Sequence, residues 1–377
     1  MDSQPIPEPI PASLPNPNDQ VTIVVRASER PFAPWQEPGT ATSYGPIPFP
    51  AFTVCASIRR GQAEAASSGQ RPVRGLRVSL KRLAEVSPFF ENWSTSIPGC
   101  FEFEVVDIDA FAIVMDIIQQ RFRRVPAYVN LEVLAKIAEI VSYLKCGHVM
   151  HTYPSRWMDA LWAEKSYLSY GRKLVLWVHI ANVFRDRAKF EIVTLRVMMT
   201  WGGKFDPLGL SIDKEIIESI NKRREETLCK VFTILHKFVR RLRKGETKCG
   251  SLCEATLLGS IFKQLPFRYF MPPPLAAGVS NTIVRVLEDI LELKEPRPDG
   301  SDEESVSAEP ASPSKSQSNT DPNKKSDCSE HERECGFRGL ANDIETEVTR
   351  MKGLPLHDET GIEVLMEKYM VILNAIC

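Results

Sequence analysis

Apolar and polar positions change period along the chain, and the changes separate strands from helices. Val21-Thr22-Ile23-Val24-Val25, after Asn18-Asp19, is a β-branched run of strand length and predicts a buried strand. Leu76, Val78 and Leu80 alternate with polar residues, and Lys81–Glu85 then reads as a helix ending near Ser87-Pro88. In a third run Phe101, Phe103 and Val105 alternate with Glu102 and Glu104, placing apolar side chains on one face and carboxylates on the other. Three strands with helices between them predict a mixed sheet.

After Asp107 and Asp109, good N-terminal caps, the period becomes helical. Phe111, Val114, Met115, Ile118 and Phe122 share a stripe over 110–122, and Leu134, Ile137, Ala138, Val141 and Leu144 share one over Leu131–Lys145. The helical period persists to Leu293, through Leu174/Trp177/Val178/Ala181/Phe184, Phe190/Val193/Val197/Trp201, Leu228/Val231/Leu235/Phe238/Leu242 and Leu257/Ile261/Phe262/Leu265. It predicts a helical array and not a second sheet. Helical spacing returns at Leu340/Ile344/Val348/Met351 and at Ile362/Leu365/Met366/Tyr369/Leu373, so the C-terminal segment is expected to dock back onto the body.

Three stretches break the pattern. Residues 1–18 are Pro-rich and read as an unpacked leader, and 27–72 dissolve into Pro, Gly, Ser and Ala and read as a long surface insertion. Residues 294–335 are rich in Ser, Pro and charge and too poor in large apolar residues to offset their ordering entropy, so they read as a linker. The resulting organisation is a leader (1–18), an α/β unit (19–150) containing the insertion, a helical region (151–293), the linker (294–335) and a C-terminal helical segment (336–377).

Composition adds mainly exclusions. The chain has 377 residues and a net charge of −1 from 47 basic and 48 acidic side chains, so nothing global steers it to nucleic acid or a membrane surface. No apolar run approaches the roughly 20 residues that span a bilayer, and the proline-bearing N-terminus is unlike a signal peptide. Nine scattered cysteines, an odd number, fit reduced thiols better than a disulfide framework. An intracellular protein of the cytoplasm, the nucleus or both is expected.

In order, Gln20-Val-Thr-Ile-Val-Val, Leu76-Arg-Val-Ser-Leu with Leu83 and Ser87-Pro-Phe-Phe, Asp107-Ile-Asp-Ala-Phe and Ala138-Glu-Ile-Val-Ser-Tyr-Leu-Lys-Cys resemble the BTB/POZ domain of fungal proteins. Leu176-Trp-Val-His-Ile-Ala-Asn-Val-Phe and the stretch from Arg241 to Cys253 resemble the helical half of such proteins. The resemblance implies an α+β fold, a small mixed sheet flanked by helices and followed by an all-α region, and a non-catalytic adaptor or scaffold that binds protein partners. The chain departs from the family in its long insertion, and no strand or helix is expected before Val21 to supply the swapped element that builds many BTB homodimers, so the homodimer that the resemblance allows is not the expectation. Phe89-Phe90-Glu91 carries the letters of a cullin-recruiting signature but lies too early, so ligase recruitment is not expected.

The chemical motifs favour ordinary explanations. GxGxxG after a strand, GxxxxGK[ST], GxSxG and HExxH are all absent, so no catalytic residue and no cofactor is assigned. Glu102 and Glu104 read as a solvated strand face. Cys328, His331 and Cys335 have zinc-ligand chemistry but lack a fourth partner, and Cys146, His148 and His151 read as a helix end, so no metal is assigned. Cys249 and Cys253 read as part of a turn between helices, and Met115, Trp177 and Trp201 as core. The most polarised stretch is Asn221–Lys248, which carries Lys222, Arg223, Arg224, Lys230, Lys237, Arg240, Arg241, Arg243, Lys244 and Lys248 against Glu225, Glu226 and Glu246. Its ordinary reading is an amphipathic helix with a solvated outer face. Its functional reading is an interaction face at Lys237, Arg240, Arg241, Arg243 and Lys244. The occupant would be an acidic protein or, for a nuclear regulator using 222–248, nucleic acid. No aromatics interleave with these cations in sequence to stack bases.

Overall fold

The computed structural model describes residues 20–35, 53–54, 73–90, 100–150, 152–165, 171–247, 250–272, 282–296 and 336–356. The fold is mixed α+β and mostly helical. Strand β1 (Gln20–Ala27) lies inside the sheet, antiparallel to β3 (Val73–Ser79) and parallel to β4 (Cys100–Val105). A two-residue strand β2 (Thr53–Val54), inside the stretch read as a surface insertion, pairs with the far side of β4, so the order is β2-β4-β1-β3. The β-branched run explains the central place of β1: Val21, Ile23 and Val25 are buried, and both edges of the strand are paired.

Helices α1 (Leu80–Val86), α2 (Ile108–Ile118) and α3 (Leu131–Leu144) accompany the sheet. The side chain of Asp107 caps α2, accepting from the N–H groups of Asp109 (3.0 Å) and Ala110 (2.9 Å), and Lys136 Nζ stands 3.0 Å away. Burial pushes the Asp107 carboxyl up, but the Ala110 N–H and the Lys136 ammonium outweigh it and hold it below its ordinary value. The α2 helix ends earlier than its stripe predicts. The Gln119 side chain is drawn onto β3, accepting from Ser79 N at 2.9 Å and donating to Ser79 O at 3.3 Å, and Gln120 turns left-handed (φ +57°). Phe122, expected on the buried stripe, therefore lies in a separate 3-10 turn, 52% exposed and stacked on Tyr153 at 6.0 Å.

The described residues beyond α3 carry the helices α4 (Thr152–Ala163), α5 (Arg172–Val183), α6 (Arg187–Thr200), α7 (Lys214–Lys244), α8 (Ser251–Gln264), α9 (Ile283–Leu291) and α10 (Phe337–Thr349). The α5 helix packs on α3, α6 packs on α5, and α7 lies against α6, α8 and α10. Met115, Trp177 and Trp201 are buried. One set of buried apolar residues runs from Val21 in the sheet to Leu356 beyond α10. No described helix is long and apolar enough to cross a membrane.

Within this core Glu139 of α3 and His179 of α5 are both buried. Glu139 Oε2 accepts from the Ser211 N–H (3.2 Å) and hydroxyl (3.0 Å), so the loop before α7 is tied to the same carboxylate. His179 Nε2 stands 3.0 Å from that oxygen without the alignment of a directed hydrogen bond, and Nδ1 is buried with no partner among the described residues. The pairing is therefore a close polar contact rather than a geometrically good bond.

The start of the stretch read as a surface insertion is in fact docked. Arg172 donates to Ala33 O (2.7 Å), Phe32 O (3.0 Å) and Glu132 Oε2 (3.1 Å), which makes Ala33 fully buried despite its left-handed φ of +43°. Trp35 then meets Trp201 edge-on at 5.7 Å and packs over Gly171, whose φ of +120° favours glycine. The sequence missed this because Pro and Gly density signals irregular backbone, not exposure. Arg172→Ala is expected to destabilise the chain by about 1–2 kcal/mol in urea unfolding and to speed hydrogen exchange in residues 28–35; unchanged exchange there would refute the clamp.

At the other end, Leu340, Ile344 and Val348 of α10 are buried. Leu354 N then donates to Thr194 Oγ1 (2.9 Å), and Arg223 donates to Gly353 O (3.1 Å). The stripe from Ile362 to Leu373 lies outside the described residues.

Candidate interaction groove on the basic helix

The α7 helix is amphipathic as its sequence predicts. Leu228, Val231, Leu235, Phe238 and Leu242 are buried, whereas Lys237, Arg240, Arg241, Arg243 and Lys244 are all exposed. Arg224, grouped with the outer cations in the sequence, is instead buried, its Nε donating to Trp201 O at 2.9 Å. It thereby ties α7 to the end of α6 instead of facing solvent. Lys230 is also engaged, 2.9 Å from Glu347 of α10.

The helix ends at Gly245, whose φ of +69° supplies the left-handed cap that a side chain would disfavour. Arg241, Arg243 and Lys244 fall in this last turn, where they also complement the negative end of the helix dipole. Beyond the turn, the buried Glu254 accepts from Thr247 N (3.2 Å) and Oγ1 (2.5 Å), fixing how α8 returns along α7. His236 Nε2 lies 2.9 Å from Tyr269 O, which pins the 3-10 turn Phe267–Phe270 to α7. The Tyr269 hydroxyl in turn donates to Asp289 of α9 (2.5 Å); burial first, and then the neighbouring carboxylate, push that phenol up.

Between these elements lies a groove of about 510 Å³, lined by His236, Val239, Arg240, Arg243, Lys244, Phe262 and Phe270. Positions 236, 240, 243 and 244 follow i, i+4, i+7, i+8 and so share one face of α7. Lys237 and Arg241 do not line the groove; they stand on the adjoining row. The structure thus divides the five-residue face into a groove set and a flanking set. Lys237, Arg240 and Arg243 have no ion-pair partner among the described residues, and Lys244 makes an exposed pair with Glu246 at 3.3 Å, a kind worth little.

The opposite wall is the part sequence reasoning missed. Phe262 was assigned to the core stripe of α8 but is 50% exposed, and its ring meets Phe270 at 4.4 Å. One signal was available: at 100° per residue Phe262 stands about 140° from Leu257 on the helical wheel, so the two cannot share a narrow buried stripe. Nothing in sequence marks Phe270 as a neighbour of the cations, whereas His236, four residues before Arg240, shares their helix face by spacing alone. The aromatics that do not interleave with the basic residues along the chain are supplied across the groove by another helix.

The other candidates for chemistry stay apart. Glu102 pairs with Arg26 on the neighbouring strand. Among the described residues no group of three or more His, Cys, Asp or Glu is placed to hold a metal ion. Cys328, His331, Cys335, His151 and Cys249 lie outside the described residues. Cys146 is buried, and burial pushes its thiol up to about 12, opposing the thiolate that zinc binding needs. The chain matches no family model, no curated protein and no solved structure.

Proposed function

We propose that this chain is a non-catalytic protein-interaction adaptor or scaffold, with the sheet and α1–α3 acting as a BTB/POZ-like unit and the helical part presenting the partner site. The observation that carries the reading is the α7–α8 groove, where cations free of ion pairs among the described residues face a half-exposed phenylalanine. Apolar surface and charge left open side by side are the equipment of a binding site rather than of a solvated face. The motifs of the BTB resemblance fall on β1, on β3–α1, at the start of α2 and at the end of α3, which supports the BTB-like part. Affinity purification of the full-length chain from cells is expected to recover a stoichiometric protein partner that survives size-exclusion chromatography; its absence would overturn the reading.

A nucleic-acid-associated regulator is the second reading, favoured by the proximity of Phe262 to Arg240 and Arg243, since rings beside cations can stack bases. Under it, binding to single-stranded DNA or RNA falls steeply with salt and is lost when Arg240, Arg241 and Arg243 are reversed to Glu. Binding that survives the reversal would remove this role from α7.

A further inference from the structure

We infer that the α7–α8 groove takes a short acidic peptide segment, its carboxylates on Arg240, Arg243 and Lys244 and one aromatic or aliphatic side chain against Phe262 and Phe270. This rests on the adaptor reading and specifies the chemistry of the partner. Charge complementarity sets the sign of the ligand. Arg240 and Arg243 have no ion-pair partner among the described residues, and guanidinium forks bind carboxylates in two-point geometry.

Four observations favour a peptide over a nucleic-acid strand. The cations facing the groove lie within Arg240–Lys244, about 6 Å of helix rise, which matches two neighbouring acidic side chains. Further toward the N-terminus of α7 the exposed Lys214, Lys222 and Lys230 are matched by the exposed Glu215, Glu218, Glu225 and Glu226, so the helix offers no continuing cationic track to a polyanion. With a net charge of −1, the chain also lacks the long-range field that draws nucleic acid. Finally, Phe262 and Phe270 are already in contact and tilted by 43°, leaving no parallel slot for a base between them. The exposed part of Phe262 remains open to a side chain laid across it. A volume of about 510 Å³ is in the range of sites that seat a few residues or a ligand of similar size.

The test uses the full-length protein and fluorescence polarisation with a dye-labelled peptide of glutamates around a single phenylalanine. Its glutamine counterpart and a labelled oligothymidylate are the comparison probes. Saturable binding of the glutamate peptide is expected, much weaker for the glutamine version and reduced by salt. Arg240→Glu with Arg243→Glu should lower affinity on the order of a hundredfold, and Phe262→Ala about tenfold. Both changes are at exposed positions, and circular dichroism would confirm that the variants remain folded. Reversing Lys237 outside the groove should have a far smaller effect. No saturable binding, binding that survives both groove variants, or tighter binding of the oligothymidylate through the same residues would overturn the inference. If the peptide fails while purification from cells still yields a stoichiometric protein partner, the inference falls and the adaptor reading stands; if neither is found, both fall.

Discussion

Glu139→Ala is expected to destabilise the folded chain by about 1–3 kcal/mol, the cost of leaving polar groups without their shared acceptor. The substitution strands His179 in the core and removes the acceptor for both donors of Ser211, so α3, α5 and the loop before α7 lose a common tie. Replacing Glu139 and His179 together by leucine should cost less than the sum of the single changes, because neither leaves a buried polar partner behind. Urea unfolding at neutral pH measures both; a loss below about 1 kcal/mol for the single variant would mean that the carboxylate contributes little.

The same residue sets a pH dependence whose sign is fixed. Burial pushes the Glu139 carboxyl up, but His179 and the Ser211 donors outweigh it and hold it below the ordinary value of about 4.3. A carboxyl whose pKa is lower in the folded state contributes stability in full above its unfolded value. That contribution is lost as pH falls through the folded value. Asp107 and Glu132 are lowered as well, so acid sensitivity is shared. The portion belonging to Glu139 is the difference between the parent chain and Glu139→Gln, and this difference should shrink as pH drops below about 4.

Gly353→Ala is the second large effect, expected to cost about 1–3 kcal/mol through steric overlap. A Cβ at this position would overlap the Glu191 carbonyl and meet the Glu191 side chain, so the segment after α10 must lift from α6. Lifting it breaks the bond from Leu354 N to Thr194 and the bond from Arg223 to Gly353 O, and it exposes Leu354 and Leu356. Hydrogen exchange should rise first in 351–356 and then in α10. A variant with parental stability and exchange would show that the close approach is not needed.

Some of this was legible in the sequence. The run Val21–Val25 carried its strand, and Leu134, Ile137, Ala138, Val141 and Leu144 carried α3, all five buried as the stripe predicts. The exposed row on α7 could also be read, including every residue of the expected interaction face. By contrast, Phe122 was misread because the cause of the break lies 40 residues away, where Gln119 pairs with Ser79. Ala33 was misread for the same kind of reason: its burial depends on Arg172, 139 residues further along. Glu139 lies off the apolar stripe of Leu131–Lys145, and nothing near it in sequence points to His179 or Ser211.

The sequence by itself determined β1, β3, β4 and the run of helices, though not β2 or the early end of α2, and that α7 carries an outer row of cations, because period and side-chain direction follow from local backbone geometry. Only the tertiary structure decided which charges are left open and which apolar rings face water. Arg224 went inward to the Trp201 carbonyl, Lys230 went to Glu347, and Arg240 and Arg243 were left facing Phe262 across a groove. Burial and pairing depend on which surfaces meet, and those meetings join residues too far apart for any local pattern to record.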